Sequence, residues 1–330
     1  MAETTAPTAS APAVDDGLIA LVQERNRKAI ARAMAVAEST APGARQFVAA
    51  VHRLAGHAHT IGITGVPGSG KSTMVRALGQ RFRATGRTVG IVAIDPSSPF
   101  SGGAILGDRI RMNELSGDPG VFIRSMATRG ALGGLARSTL DVVDVLDAAR
   151  FDVVLIETVG VGQDEVDVVQ AAHTVLVVSA PGLGDEVQAI KAGVLEIADI
   201  HVVSKCDKPD ARQTVADLKA MLRLGGIGRG DTTWSVEVLP TSAQNRDGID
   251  ALVDAIDRHR AHLAASGELE ARQRKIMEMR IVKTAEDIVR DELGGRRRDA
   301  LHAVLSQAVA KDTDPYTAAR GLLREIATGL

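Results

Sequence analysis

The chain has 330 residues, of which 45% are hydrophobic but only 2% are aromatic, and its formal net charge is −2. This length suits one large α/β domain with helical additions, or two domains, and a core of Val, Ile, Leu and Ala suits parallel strands covered by helices. Balanced charge argues against a nucleic-acid or lipid surface, and the single cysteine, Cys206, excludes an intramolecular disulfide and a CxxC site.

The first 14 residues form an Ala/Pro/Thr-rich tail that we expect to be disordered. They lack the basic region and the apolar region of a signal peptide. The longest apolar run, around Val175 to Pro181, is too short to cross a bilayer. We therefore expect a cytoplasmic protein without a membrane or nucleic-acid partner.

Residues 15–58 predict an N-terminal helical extension. One helix is predicted to run through Ala37, with apolar residues at Leu18, Ile19, Val22, Ile30 and Met34. The sequence from Ser39 to Gly43 breaks it. A second helix carries Phe47, Val48, Val51 and Leu54.

Residues 59–264 alternate short β-branched runs with helical segments, which predicts an α/β domain with a mostly parallel sheet. The predicted strands are Ile61–Thr64, Thr88–Ile94, Val153–Ile156, Thr174–Ser179, Ile200–Ser204 and Val236–Leu239. Ligands bind at the carboxyl ends of such strands, so the residues that follow each run are candidate site residues.

Residues 265–330 return to a helical pattern in a strongly charged sequence. Helices are predicted up to Gly294-Gly295, from Arg297 to Ala310 and from Pro315 to Ile326. An amphipathic helical arm after a complete α/β domain packs on its own sheet or on a second copy of the chain. We expect the second arrangement, a homodimer.

A complete P-loop follows the first predicted strand and opens a helix: Gly65, Val66, Pro67, Gly68, Ser69, Gly70, Lys71, Ser72 and Thr73. Its glycines let backbone N–H groups form an anion-binding cradle at a helix N-terminus. Lys71 is expected to contact the β- and γ-phosphates, and the Ser72 hydroxyl to bind Mg²⁺.

A guanine-recognition pattern ends a later strand. Ser204, Lys205 and Asp207 match the NKxD motif of GTPases, with Ser in place of Asn. One carboxylate can accept both the N1–H and the N2–H₂ of guanine, which adenine cannot offer together. Lys205 is expected to lie along the base, and a second weak motif follows one strand later: Ser242, Ala243 and Gln244. Ser204 leaves the strength of base binding open, not the identity of the base.

Acidic residues stand at strand ends or in glycine-rich loops. Asp95 ends the strand after the P-loop helix, and Glu157, followed by Gly160, matches a DxxG switch with Glu for Asp. Asp108 lies in a glycine-rich loop. Each could hold Mg²⁺ or orient water, or could be a helix cap or surface charge. The flexible acidic loop with Gly182, Gly184, Asp185 and Glu186 is either a switch or a plain connector.

These motifs together resemble the methylmalonyl-CoA mutase-associated GTPases, the MeaB/ArgK family, whose human relative is the methylmalonic aciduria cobalamin A-type protein. The resemblance covers roughly residues 15–330. Its most specific stretches are residues 95–98, 102–112, 124–130, 157–163 and 181–191.

The resemblance implies a P-loop GTPase of the signal-recognition and nickel-insertion class, flanked by helical extensions, with a C-terminal arm that makes a homodimer. It assigns Asp95, Asp108 and Glu157 to Mg²⁺ binding and hydrolysis, and Lys191 to an extra switch. Lys71 of the P-loop is the fourth predicted catalytic residue. It also implies slow GTP hydrolysis that a partner accelerates, and a chaperone role in gating adenosylcobalamin loading onto methylmalonyl-CoA mutase and protecting that enzyme. An adenosyltransferase is a possible further partner.

The resemblance gives this chain GTP, GDP and Mg²⁺ as ligands but no cobalamin of its own. The run from Asp199 to Ser204 nearly spells a cobalamin-binding DxHxxG pattern, yet its glycine is missing and its histidine, His201, falls inside a strand. Three other functions stay open: a metallochaperone GTPase, an ArgK-type kinase of amino-acid transport and a non-enzymatic dimeric module.

Overall fold

The computed structural model describes residues 15–39, 41, 43–95, 113–127, 137–158, 171–182, 197–224, 233–295 and 298–328. Within these ranges, no helix combines the length and the apolar character needed to cross a membrane.

Seven strands in the described part of the chain form one parallel sheet with the order β3-β2-β4-β1-β5-β6-β7. They are β1 His59–Thr64, β2 Val89–Asp95, β3 Val121–Ala127, β4 Val153–Glu157, β5 Thr174–Ser179, β6 Ile200–Val203 and β7 Glu237–Pro240. β1 lies at the centre, where Ile63 is in register with Glu157 of β4 and with Leu176 of β5. The predicted parallel α/β sheet is confirmed.

The helices of the described residues lie before, between and after the strands. They are α1 Asp16–Gln23, α2 Arg27–Ala37, α3 Ala44–His52, α4 Lys71–Ala84, α5 Asn113–Ser116, α6 Arg137–Ala148, α7 Ala211–Leu224, α8 Ile249–Ser266, α9 Glu268–Gly294, α10 Arg298–Val309 and α11 Pro315–Ala327.

Two core clusters cover opposite faces of the sheet. On one face, α4 and α8 pack against strand residues such as Ile63, Ile91 and Leu155. On the other face, α7 packs against alternate residues of β5 and β6, such as Val175 and Val203. Period-two alternation explains why neighbouring apolar residues of one strand serve both cores.

The prediction of one helix through Ala37 is wrong, because the chain breaks between α1 and α2. Arg25 adopts a φ of 59°, and the Asn26 side chain accepts hydrogen bonds from the N–H groups of Lys28 and Ala29. An N-cap that satisfies two amides stabilises a new helix start. The Arg25 guanidinium also donates to the Ala149 carbonyl at 3.0 Å, which holds the break against the end of α6.

Strand β3 was not predicted, because its sequence VFIRSMA carries polar residues where a buried strand would be apolar. It is an edge strand that pairs with β2. Arg124, in the middle of β3, forms an ion pair with Glu38 at the end of α2. An edge strand that carries charge is a common protection against aggregation, and it weakens the sequence signal.

The chain divides into two compact units, Met1–Gln273 and Arg274–Leu330. The first contains the sheet. In the second, α10 packs against α11, and a groove of about 870 Å³ is lined by aliphatic residues, among them Ile281, Val282, Val289, Leu293, Leu301 and Leu323. Several of these are exposed, Ile281 at 62% and Val282 at 52%. The predicted domain boundaries at residues 14, 58 and 264 stay predictions.

Candidate nucleotide-binding site

The predicted nucleotide-site residues that the structure describes lie at one end of the sheet. The P-loop follows β1, Glu157 ends β4, Ser204 to Asp207 follow β6, and Ser242 follows β7. All are carboxyl ends of parallel strands, where open α/β sheets bind ligands. Sequence positions far apart are therefore brought together by the strand order.

The P-loop backbone depends on a close approach to strand β5. Gly65 has a φ of 141°, and a Cβ built on it would stand 2.1 Å from the Val178 carbonyl oxygen, so only glycine fits. The loop ends at Gly70, which adopts the left-handed conformation and is the N-cap of α4. Gly70 has no side chain to cap the first-turn amides of α4, and such amides with the helix dipole make an anion site.

The Lys71 side chain is held within the P-loop rather than in solvent. It is 7% exposed, and its ammonium group donates to the carbonyls of Gly65 at 2.7 Å and Val66 at 3.2 Å. A lysine restrained in this way carries its positive charge to the loop that the sequence assigns to phosphates.

A hydroxyl–carboxylate pair joins the P-loop helix to β4. The Ser72 hydroxyl donates to Glu157 Oε1 at 2.6 Å, and Glu157 is 3% exposed. The pairing arises because β1 and β4 are neighbours, with Ile63 and Glu157 in register. Hydroxyl and carboxylate oxygens are the ligands that Mg²⁺ prefers, so the donor set fits the predicted metal.

The other predicted metal residues are less fully placed. The backbone of Asp95 ends β2, at the same end of the sheet as Glu157. Asp108 and the switch residue Gly160 lie outside the described residues.

In the predicted base-reading loop, Asp207 is held by a hydrogen bond from the turn that follows β7. The Ser242 hydroxyl donates to Asp207 Oδ1 at 2.7 Å, and this bond lowers the pKa of Asp207, so the exposed carboxylate is ionised and an acceptor. The backbones of Ser242 and Asp247 form a two-way bridge at 2.9 and 3.0 Å. That bridge closes the turn that contains Ala243 and Gln244.

Two contacts between the base loop and the P-loop escaped the sequence analysis. The Ser204 hydroxyl donates to the Ser69 carbonyl at 2.5 Å, and the Lys205 ammonium donates to the Gly68 carbonyl at 2.8 Å. Ser204 is 4% exposed. The signal was the departure of Ser204 from the NKxD pattern, since a small donor there can still reach the neighbouring loop.

A buried pair of hydroxyls beneath the P-loop was also missed. Thr158, directly after β4, donates its backbone N–H to the Ile63 carbonyl at 3.1 Å, and its hydroxyl lies 3.1 Å from that of Thr64. Both threonines are at most 4% exposed. They attach Thr158, the residue directly after Glu157, to the last two residues of β1, which precede the P-loop.

In the acidic loop that is predicted to be a second switch, Gly182 is the one predicted switch residue that the structure describes. Gly182 is exposed and has a φ of 82°. Gly184, Asp185, Glu186 and Lys191 lie outside the described residues.

Comparison with known proteins decides the family. The family model for methylmalonyl-CoA mutase-associated GTPase MeaB matches residues 30–298. The chain belongs to this family. The MeaB family match confirms the resemblance found in the sequence, and with it GTP as the nucleotide that the protein hydrolyses.

Individual relatives agree with the MeaB assignment. A predicted GTPase of Pyrococcus abyssi is 46% identical over 315 residues, covering 95% of this chain and 97% of the relative. GTPase ArgK of Escherichia coli is 35% identical over 315 residues, covering 93% and 95%. The crystal structure of an LAO/AO transport system kinase matches with a TM-score of 0.69 and 28% identity, covering 98% of this chain and 100% of that one. The predicted P-loop fold is confirmed.

Proposed function

We propose that this MeaB-family GTPase is a chaperone of methylmalonyl-CoA mutase, whose GTP cycle gates adenosylcobalamin loading and protects the mutase. The family description, which names a mutase-associated GTPase, supports the choice of partner. The chain is matched over most of its length, so the proposal concerns the whole protein. Hydrolysis is slow in the isolated protein and is accelerated by the mutase.

The nucleotide part of the proposal is carried by one observation: a phosphate-binding loop, a Ser72–Glu157 pair and an oriented Asp207 converge at one end of the sheet. The triphosphate lies in the cradle of residues 65–73, with Lys71 opposing its negative charge. Asp207 accepts from the guanine edge, Lys205 lies along the base, and the turn with Ala243 and Gln244 faces the guanine carbonyl.

Mg²⁺ is the proposed metal, held by Ser72 and Glu157, with Asp95 and Asp108 contributing to its surroundings. The ion supplies charge neutralisation for the β- and γ-phosphates. Glu157 itself is a buried acceptor at the end of β4, the neighbour of the central strand β1. Its place makes it the residue that couples the phosphate end of the nucleotide to the chain that follows β4.

Signalling to the mutase is proposed to use the chain segments that follow Glu157 and Gly182, including Gly160, Gly184, Asp185, Glu186 and Lys191. Loops that contact a γ-phosphate take one arrangement with GTP and release it after hydrolysis. Thr158 supports this, because its two bonds attach the start of one such segment to β1 beside the P-loop.

We also propose that the protein is a homodimer through its C-terminal unit. The groove lined by Val282, Val289 and Leu301 is apolar, and neighbouring residues such as Val309 and Leu305 are 75% and 53% exposed. Exposed apolar patches on soluble chains mark interaction surfaces, and a second copy of the same helices is the proposed occupant.

Phosphate release from GTP and from ATP, with and without added methylmalonyl-CoA mutase, tests the proposal. We expect GTP to be hydrolysed in preference to ATP, and the mutase to raise the rate at least several-fold. Lys71→Ala should lower the GTP rate by about 10²–10³-fold, because it removes a charge that stabilises the transition state. Lys219→Ala, at an exposed lysine of α7, is the matched control and should keep the wild-type rate.

The two parts of the proposal fail separately. A mutase that binds neither nucleotide form and leaves the rate unchanged would refute the chaperone role. Equal rates with ATP and GTP would refute the assignment of Asp207 to the base.

A further inference from the structure

Ser204 occupies the junction of three strand ends. Its backbone N–H donates to the Ser179 carbonyl at 2.8 Å, which extends the pairing of β6 with β5 by one residue. Its side chain lies under the end of the P-loop, because a Cβ built on Gly70 would stand 3.6 Å from Ser204 Oγ. The residue that starts the base loop therefore lies beside the residue that caps α4.

The base loop is held on two sides. On the β7 side, backbone bonds hold it: Thr241 N–H to the Val203 carbonyl at 2.8 Å and Cys206 N–H to the Thr241 carbonyl at 3.0 Å. On the P-loop side, two side chains hold it. The Ser204 hydroxyl donates to the Ser69 carbonyl, and the Lys205 ammonium donates to the Gly68 carbonyl. Of these two side-chain bonds, that of Ser204 is buried and that of Lys205 is exposed, so the Ser204 bond is less weakened by competing water.

We propose that Ser204 is a positioning residue for nucleotide binding, whose bond to the Ser69 carbonyl fixes the base loop relative to the P-loop. The proposal rests on the proposed role of Asp207 as the base reader. Ser204 fixes where Asp207 stands relative to the phosphate cradle, and Asp207 recognises the base. Loss of the Ser204 hydroxyl thus weakens binding of every nucleotide that uses both loops, without changing which base is preferred.

A comparison of GDP with IDP separates positioning from recognition, because hypoxanthine lacks the exocyclic amine of guanine. Calorimetric titration should show that the wild-type protein prefers GDP. Ser204→Ala should weaken both nucleotides about tenfold, the effect of one buried hydrogen bond, and keep the GDP-to-IDP ratio within about twofold. The KM for GTP should rise by a similar factor, with a much smaller change in kcat.

The conservative variant Ser204→Thr keeps the hydroxyl and should bind both nucleotides within about threefold of wild type. Thr85→Val is the matched control. It removes a hydroxyl that donates to the Phe82 carbonyl at 2.7 Å, at the far end of α4 from the P-loop, and it should leave both affinities unchanged. If Ser204→Ala does not fold, Ser204→Cys, which replaces the hydroxyl by a much weaker donor, carries the same measurement and should also weaken both nucleotides while keeping the GDP-to-IDP ratio.

Three results would overturn the positioning role: wild-type affinity in Ser204→Ala, loss of the GDP preference in Ser204→Ala, or an equal loss of affinity in Thr85→Val. Asp207→Ala distinguishes this failure from failure of the base assignment. Asp207→Ala should abolish the preference for GDP over IDP. A preference that survives in Asp207→Ala would refute the role of Asp207, whatever Ser204→Ala shows.

Discussion

The two ends of the parallel sheet both carry buried polar residues, but they use them differently. At the carboxyl ends, side chains bond to loop carbonyls and to one another around the P-loop. At the amino ends of β1, β5 and β6, an ion pair and a chain of hydrogen bonds link the strands to α8 and α9. The carboxyl ends form the candidate site for a charged ligand, whereas the charged side chains at the amino ends pair with one another.

Two aspartates show the contrast. Asp207, at the carboxyl end, is exposed, and a bond from Ser242 orients it. Asp199, at the amino end, is 2% exposed and accepts two bonds from the Arg272 guanidinium, at 2.6 and 2.9 Å, with a third from the Val175 N–H at 2.7 Å. A buried carboxylate needs such partners, because without them the free energy lost by removing the charge from water is not recovered.

The histidines at the amino end complete the network. His59 Nε2 and His259 Nδ1 each lie 2.8 Å from the Thr174 hydroxyl, and His259 Nε2 lies 3.5 Å from Asp199. The Arg272 guanidinium also donates to the His173 carbonyl at 2.6 Å. The near-match to a cobalamin pattern falls in this region, where Asp199 bonds to Arg272 and His201 is fully buried in β6.

The largest expected effect is the loss of guanine recognition when the exposed Asp207 is replaced. Asp207→Asn replaces an acceptor pair with one acceptor and one donor, which suits xanthine better than guanine. The ratio of GTP affinity to XTP affinity should fall by on the order of 10⁴, measured by competition binding. Asp210→Asn, at another exposed aspartate three residues further along, should leave the ratio unchanged. An unaltered ratio in Asp207→Asn would move base recognition elsewhere.

The elements and motifs that depend on a local sequence pattern could be predicted from the sequence. The P-loop, the base motif and six strands were read from runs of a few residues, and the structure places those strands within one or two residues of the prediction. The break at Arg25 was missed because its stabilising contact is with Ala149, which is 124 positions away. Strand β3 was missed because its Arg124 pairs with Glu38, 86 positions earlier.

The same limit explains the site. Gly65 and Lys71 could be assigned because the P-loop motif is contiguous, whereas the Ser204–Ser69 bond joins residues 135 positions apart. The Asp199–Arg272 pair spans 73 positions and belongs to no motif. Partners of this kind follow from strand order, which composition and periodicity do not determine.

The second-largest expected effect is a loss of stability caused by a change at the amino ends of the strands, with nucleotide binding unchanged. Arg272→Ala leaves the buried Asp199 carboxylate without its guanidinium, and the free energy of unfolding should fall by about 3–5 kcal/mol in urea titrations. Affinity for GDP in the folded protein should be unchanged, because Arg272 bonds at the opposite end of the sheet. Arg274→Ala, at an exposed arginine of the same helix, should cost less than about 0.5 kcal/mol.

A double variant sharpens this prediction. Asp199→Asn combined with Arg272→Met removes both charges, so part of the stability lost in Arg272→Ala should return. If Arg272→Ala instead weakens GDP binding as much as it destabilises the fold, the two ends are coupled and the contrast between them is wrong.

The smallest effect is a pH dependence that the amino end alone should produce. Burial and then the nearby charge of Arg272 lower the pKa of His173 from 6.5 to about 4. Burial and the neighbouring His173 likewise lower the pKa of His59. The unfolded chain therefore takes up protons below pH 6.5 while the folded chain resists until about pH 4. Stability should be full above pH 6.5 and fall as the pH drops through this window.

The slope from His173 should be at most about 1.4 kcal/mol per pH unit, seen in urea unfolding at pH 7.5, 6.5, 5.5 and 4.5. His173→Asn does not titrate, yet its amide oxygen can still accept the Thr60 N–H that now donates to His173 Nδ1 at 3.2 Å. It should flatten part of the slope, whereas His57→Asn, at an exposed histidine, should not. A slope that His173→Asn leaves unchanged would show that His173 is not a source of the acid sensitivity. The carboxylates whose pKa values are lowered, such as Asp118 and Asp152, do not account for the slope in this window, because they lose their contribution only as the pH falls below about 4.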